Sequence, residues 1–201
     1  MTTLTLDHLS IGALERVSLT LHSGDVVCVS GASGSGKSRL LRAVADLDPH
    51  GGGVTLDGVE QASFAGHQWR QQVMMVAADS QWWHDDVRSH FPADQGELPE
   101  ALGLPQAALD WTVSRLSSGE RQRLAIARAL GRHPRVLLLD EPTANLDHDT
   151  TLKVEKWLLE QVREHKLAVL WIAHDAGQIE RVATRHYCIR GTTLEPVHGS
   201  D

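Results

Sequence analysis

GASGSGKS, residues 31–38, follows the apolar run DVVCVS (25–30) and precedes RLLRAVADL (39–47), which has the apolar spacing of an amphipathic helix. A buried strand, a glycine-rich turn and a helix form the context in which G-x-x-x-x-G-K-[ST] becomes a phosphate-binding loop. Gly31, Gly34 and Gly36 let the backbone turn tightly and aim N–H groups inward, with no Cβ in the way. The following helix adds its positive N-terminal end, which suits an anion. Lys37 would reach the β- and γ-phosphates of a nucleoside triphosphate, and Ser38 would set its hydroxyl on Mg²⁺. Ala32, Ser33, Ser35 and Arg39 complete the same candidate site. The plainer alternative, a Gly/Ser turn with an exposed lysine, is disfavoured by the flanking strand and helix.

Composition narrows the setting. A chain of 201 residues fits one domain with room for a substantial core. Its 41% hydrophobic and 22% charged content are ordinary for a globular protein. A formal charge of −7 argues against a nucleic-acid surface, which normally needs a basic face. Cys28 and Cys188 fall in separate strand-like runs and read as small packed hydrophobes, as in a reducing compartment. The opening MTTLTLDHLS has no charged segment followed by an apolar one, so no secretory leader is expected. LAVLWIA (167–173) is far too short to span a bilayer, so any membrane crossing falls to another chain. The histidines show no His-x-x-x-His pairing that would place two metal ligands on one helical face. All but His174 read as solvated or locally hydrogen-bonded.

The rest of the chain reads as α/β. LTLDHLSI (4–11) and VSLTL (17–21) alternate like half-exposed antiparallel strands, and GGGVTLDG (51–58) brackets another with turn glycines. QVMMVAA (72–78) reads as a buried strand. Residues 79–133 lose strand character, pass several Pro and Gly breaks, and end in a helical pattern over 118–130. RVLLLDEP (135–142) and AVLWIAHD (168–175) look like central parallel strands, with a crossover helix over 150–165 between them. RHYCIR and TTLEPV suggest a closing hairpin or two edge strands.

Two further stretches carry chemistry. VLLLDE delivers two carboxylates to the sheet edge where open α/β sheets bind ligands. Asp140 would hold Mg²⁺ alongside Ser38, and Glu141 could take a proton from an attacking water. An acidic turn closing a strand is the bland alternative. LSSGE (116–120) opens the helix RQRLAIARAL, and is either a second anion-binding helix N-terminus or a simple N-cap. Arg121, Arg123, Arg128 and Arg132 read as a solvated basic face.

In this order (phosphate loop, LSSGE, VLLLDE, ANLD at 144–147, then His174) the chain resembles the nucleotide-binding subunit of an ATP-binding-cassette (ABC) transporter over nearly its whole length. The resemblance implies a P-loop NTPase fold: a RecA-like core with an antiparallel β subdomain and a short helical subdomain. It implies one domain, with residues 1–78 forming the β subdomain and phosphate-loop part, 79–133 the helical subdomain, and 134–201 the rest of the core. It also implies ATP and Mg²⁺, held between two cassettes packed head to tail, either a homodimer or a pair with a related subunit. Ser117, Ser118 and Gly119 would then meet the γ-phosphate bound by the other subunit. Asp147 would communicate between the two sites, and His174 would hold the γ-phosphate and the attacking water, with Lys37, Glu141 and His174 as the catalytic set. Hydrolysis would energise a separate integral-membrane permease, with this chain on the cytoplasmic face of the membrane and no nucleic-acid partner. A soluble ABC ATPase acting on DNA or ribosomes is the alternative; it usually carries two cassettes or an insertion that this chain lacks.

Four features bear on that pattern. Ile11 stands where the family has an aromatic residue that stacks on adenine, and it lacks a π face. Ala78 stands where the family has a metal-touching glutamine, leaving Asp79, Gln81 or water to substitute. Ser118 replaces a usual glycine, which is tolerable if its backbone is not left-handed. Trp82 and Trp83 start a short helical subdomain, as local core or as an exposed anchor for the permease. WRQQV, AADSQWW and AVLWIAHD are similar to small bacterial iron-exporter ATPases, which implies export of a metal ion.

Overall fold

Leu4 and Leu6 share a face of β1 (Thr3–Ile11), and strict alternation would then bury His8 and Ser10. A bulge intervenes instead. His8 takes φ 49° and the register against neighbouring strands shifts between Leu6 and Leu9. The extra residue returns Leu9 and Ile11 to the buried face, so the simple alternation expected for LTLDHLSI does not hold past Leu6. The computed structural model describes residues 1–197. Within it β1 pairs antiparallel with β2 (Leu14–His22).

The phosphate-loop strand β3 (Val26–Gly31) and helix α1 (Lys37–Val44) follow. Then β4 (Gly51–Leu56) and β5 (Val59–Glu60) complete a four-stranded antiparallel sheet of order β2-β1-β4-β5. A seven-residue helix, α2 (Gly66–Gln72), leads to β6 (Val73–Val76). Beyond β6 the chain forms only short single turns until α3 (Ser118–Leu130), whose bounds match the sequence pattern. β7 (Val136–Asp140), α4 (His148–His165), β8 (Ala168–Ile172), α5 (Ala176–Val182), β9 (Arg185–Arg190) and β10 (Thr193–Val197) finish the described chain.

The second sheet has order β10-β9-β3-β8-β7-β6. All its pairings are parallel except that of β10 with β9, an antiparallel hairpin. QVMMVAA is therefore an edge strand, and it stops at Val76. The central strands are buried on both faces, which is why VLLL and AVLWI are continuous apolar runs. Val27, Val29, Leu138 and Leu170 face α1 and the antiparallel sheet, while Cys28, Leu137, Leu139 and Trp171 face α3, α4 and the segment before α3. Each such side chain contributes about 1.5–3 kcal/mol on burial. The strands that end in the candidate site are thus the most firmly held part of the molecule.

The three arginines of α3, with Arg132 just past its end, are not a solvated face. Arg123 Nη1 donates to the Leu102 carbonyl at 2.5 Å, Arg132 Nη2 to that of His90 at 3.2 Å, and Arg121 Nη2 to that of Val113 at 3.3 Å. Arg128 stacks on Trp82, its guanidinium carbon 4.4 Å from the ring centre. Burial pulls its pKa down to about 10. The reason is topological. With so little regular structure between β6 and α3, main-chain carbonyls there need donors, and α3 supplies them.

Candidate functional site

β3, β8 and β7 are neighbours, and their C-terminal ends carry the phosphate loop, His174 and Glu141. Ile172 lies opposite Val29 on one side and Asp140 on the other, so β8 and β7 end level while β3 runs two residues further, to Gly31. Gly31, Gly34 and Gly36 take φ of 148°, 77° and 99°, conformations that L side chains rarely adopt. At Gly31 a Cβ would also sit 3.0 Å from Ser35 Oγ and 3.1 Å from the Ile189 carbonyl. Gly36 N-caps α1 with no side-chain hydrogen bond, leaving that helix's first N–H groups for a ligand. Lys37 is 6% exposed, and its Nζ donates to the carbonyls of Gly31 and Ala32, both at 2.9 Å. The loop and lysine hold each other in the shape a phosphate would enter.

Beside it, Asp140 ends β7 almost fully buried, and its Oδ1 has no hydrogen-bond partner. Burial pushes this carboxyl up from the usual range, while the Ser38 hydroxyl pulls it down. Glu141 leaves the strand with φ 48°, which turns its side chain back over the sheet edge. Its Oε1 meets His174 Nε2 at 2.7 Å. A cleft of about 250 Å³ is lined by Ser33, Gly34, Gly36, Lys37, Ser38, Arg39, Glu141 and His174. Seven motif residues and Arg39 from separate stretches of sequence thus share one cavity. A neighbouring cleft of about 470 Å³ begins at Glu141 and His174 and runs past Thr143 to Gln178 and Arg181.

The other candidates lie apart from both clefts. Ser117 N-caps α3: its Oγ accepts from the Glu120 N–H at 3.2 Å, while its own N–H donates to Glu120 Oε2 at 2.8 Å. Ser118 is helical, without positive φ, as its serine requires. Gly119 is buried against the Asn145 carbonyl, where a Cβ would come within 2.9 Å. Asp147 N-caps α4, accepting from the Thr150 N–H at 3.0 Å and hydroxyl at 2.7 Å. Those bonds hold its carboxyl below the usual range. Sequence reasoning missed the buried contacts around Glu155, Gln178 and Arg181 behind the second cleft.

The ABC transporter family model matches residues 14–144, from β2 through the phosphate loop, the LSSGE turn and VLLLDE. The chain belongs to the ABC transporter family. The Fe(3+) ions import ATP-binding protein FbpC of Streptomyces coelicolor is 38% identical over 205 residues, covering 90% of this chain and 58% of that protein. The "Probable iron export ATP-binding protein FetA" of Escherichia coli is 34% identical over 199 residues, covering 92% of this chain and 86% of that one. This chain therefore spans little more than half of the first relative and most of the second. A solved dimeric, post-hydrolysis structure of the ATP-binding cassette MJ0796, bound to ADP and Pi, superposes with a TM-score of 0.82. It covers 98% of this chain at 23% identity, a likeness of fold. A P-loop NTPase fold of the ABC type is what the sequence implied.

As a member of the ABC transporter family the chain departs from pattern at the base and metal ends. Ile11 is 5% exposed, packed in the core with Leu14 and Leu41. The β1 bulge turns it to the buried face, and it lines a shallow cleft with Ser10, Gly12, Pro49, His50 and Gly51. The Arg39 guanidinium lies against Gly12: a Cβ there would fall 2.6 Å from its Nη1. Asp79 and Gln81 are exposed and line neither cleft. The tryptophan pair divides, with Trp82 packed on the core and Trp83 64% exposed.

Proposed function

We propose that this chain binds ATP with Mg²⁺ and hydrolyses it as the nucleotide-binding subunit of an ABC transporter, energising a separate membrane permease. The observation that carries this reading is the shared cleft, where Lys37, Ser38, Glu141 and His174 face one another at the ends of three adjacent strands. The loop N–H groups and Lys37 bind the β- and γ-phosphates. Lys37 exchanges two neutral carbonyls for charged oxygens, a stronger partner for an ammonium. The donor set fits Mg²⁺: Asp140 Oδ1 is buried and unpartnered, Ser38 is beside it, and phosphate oxygens complete such sites. When bound, the ion draws negative charge from the transferring phosphoryl group. Asp79 is left outside this donor set.

Glu141 accepts the proton of the attacking water, and His174 orients that water and the γ-phosphate. Their mutual hydrogen bond must open to admit the water between them. At the base end, the Arg39 guanidinium over Gly12 offers a planar cation to stack on adenine in place of the aromatic ring. Ser117, Ser118 and Gly119 line neither cleft of their own chain, which supports their serving the site of a second cassette packed head to tail. Asp147 then reports between the two sites. Residues 1–78, 79–133 and 134–201 are parts of this single unit, the last four lying outside the described residues. No described helix is long and apolar enough to cross a membrane, so the crossing is assigned to the permease, with this chain on the inner face. Export of a metal ion is the transport reaction we attach to it, by its likeness to the iron-export relative that it spans for 86% of the length.

The test is Glu141→Gln in the purified chain. Trapping of an ATP-bound dimer with hydrolysis almost abolished is expected; hydrolysis at the unaltered rate would remove Glu141 from its role. Copurification with a polytopic membrane protein tests the permease. Intracellular iron that stays unchanged when the chain is deleted would argue against metal export.

A further inference from the structure

Glu155 is a carboxylate only 3% exposed, and the reading above gives it no task. It sits on α4 beside the apolar stripe of Val154, Leu158 and Val162. Arg181 of α5 meets both its oxygens, Nε at 2.8 Å and Nη2 at 3.0 Å. The Gln178 amide donates to the same carboxylate at 2.8 Å, and its Nε2 also donates to Thr143 Oγ1 at 2.7 Å. Gln178 and Thr143 are each 7% exposed. The amide's orientation follows from its partners, because an ionised carboxylate can only accept.

These bonds grip both halves of the hydrolytic pair. Thr143 lies two residues past Glu141, in a turn closed by the Ala144 N–H to the Glu141 carbonyl at 3.1 Å. Gln178's own main-chain N–H donates to Asp175 Oδ1 at 2.7 Å, one residue past His174. A single residue therefore holds the loop behind Glu141 with its side chain and the turn behind His174 with its backbone. We infer that Gln178 is a positioning residue for ATP hydrolysis, anchored by Glu155 and Arg181, and that it sets Glu141 against His174. The inference rests on the roles given to Glu141 and His174 above. Its physical basis is that a misplacement of about 1 Å in a reacting group can cost on the order of a hundredfold in rate. Arg181 keeps Glu155 paired when the amide is removed, so Gln178 can be replaced without stranding a buried charge.

Steady-state ATP hydrolysis and thermal unfolding of the full chain test this. Gln178→Leu and Thr143→Val each break the bond, whereas Thr143→Ser keeps the hydroxyl. Both of the first two should lower kcat about tenfold with KM for ATP within about twofold, since neither touches the phosphate loop. Thr143→Ser should restore kcat, and the Gln178→Leu/Thr143→Val pair should fall no further than either alone. An unchanged kcat in both single variants would overturn the inference, as would losses that multiply in the double variant. So would a kcat loss matched by the fraction of chain unfolded at the assay temperature. Glu141→Gln runs beside them: if it still hydrolyses ATP, the reading of the site has failed, and that outcome is distinct from a failure at Gln178.

Discussion

A methyl group at Gly119 would stand 2.9 Å from the Asn145 carbonyl oxygen and 3.2 Å from Leu146 Cδ2. The first of these is backbone and cannot swing aside, so the start of α3 and the loop before Asp147 are fitted to each other within one chain. Gly119→Ala should destabilise the fold by about 1–3 kcal/mol, as small additions to a filled site do. Urea unfolding would read this as a lower midpoint at unchanged slope. Ser118 faces outward one residue earlier, and Ser118→Gly should leave the midpoint nearly where it was. Reactivity separates the two cysteines in a similar way. Burial, with Glu155 nearby as the lesser cause, pushes the Cys28 thiol up to about 12, so it stays protonated and inert. Cys188 is half-buried on β9. Mass-spectrometric labelling of the native chain should find Cys188 modified first and Cys28 protected until unfolding.

Three helices of this fold, α3, α4 and α5, start where a side chain caps them. Asp147 caps α4 through Thr150, and the same residue is assigned to signalling between cassettes. Two substitutions divide the roles. Asp147→Ala should lower Tm, and Asp147→Ser should recover most of it, since serine also caps. ATP-driven pairing of cassettes should suffer in both, because neither retains the carboxylate; full pairing in Asp147→Ser would leave Asp147 as a cap alone. The LSSGE cap and a long 3.6-residue period made α3 legible in the sequence; α4 was legible from its period alone, which placed its start at Thr150, two residues late, because the Asp147 cap was not read. The seven-residue α2 and α5 were not legible, since GHQWRQQ buries only Trp69 and shows no period. The β1 bulge was hidden for a different reason. One extra residue at His8 exchanges the faces of a strand, and no local signal marks it. The Glu155–Gln178–Thr143 contacts were hidden too, because polar residues 23 and 35 positions apart read as solvent-facing until the chain is folded.

Across the whole molecule, stability is uneven: two apolar layers hold the strands of the site, while the segment from β6 to α3 buries Leu98, Leu102 and Leu109 with little regular structure and relies on side chains to satisfy its main chain. His90 is the centre of that segment, fully buried. Its Nε2 accepts the N–H groups of Trp83 at 2.9 Å and His84 at 3.0 Å, and its Nδ1 lies 3.0 Å from the Asp86 carbonyl. That pattern needs a neutral ring with its proton on Nδ1; protonating Nε2 would leave two main-chain N–H groups without an acceptor. Burial accordingly holds the pKa below its ordinary 6.5, with Arg128 adding a smaller push in the same direction. The unfolded chain takes up this proton at 6.5 while the folded chain resists it, so the unfolded state binds more protons as pH falls through the gap. His90 thus adds stability that is full above the unfolded value and is lost between it and the lower native one. Urea midpoints measured from about pH 7.5 to about pH 5.5 should decline in the native chain and decline less in His90→Gln, which cannot titrate. Because Trp83 is exposed and tied to this ring by its own N–H, tryptophan fluorescence should shift at the acid end before the strands of the site unfold. Equal pH slopes in the two proteins would place the titrating group elsewhere.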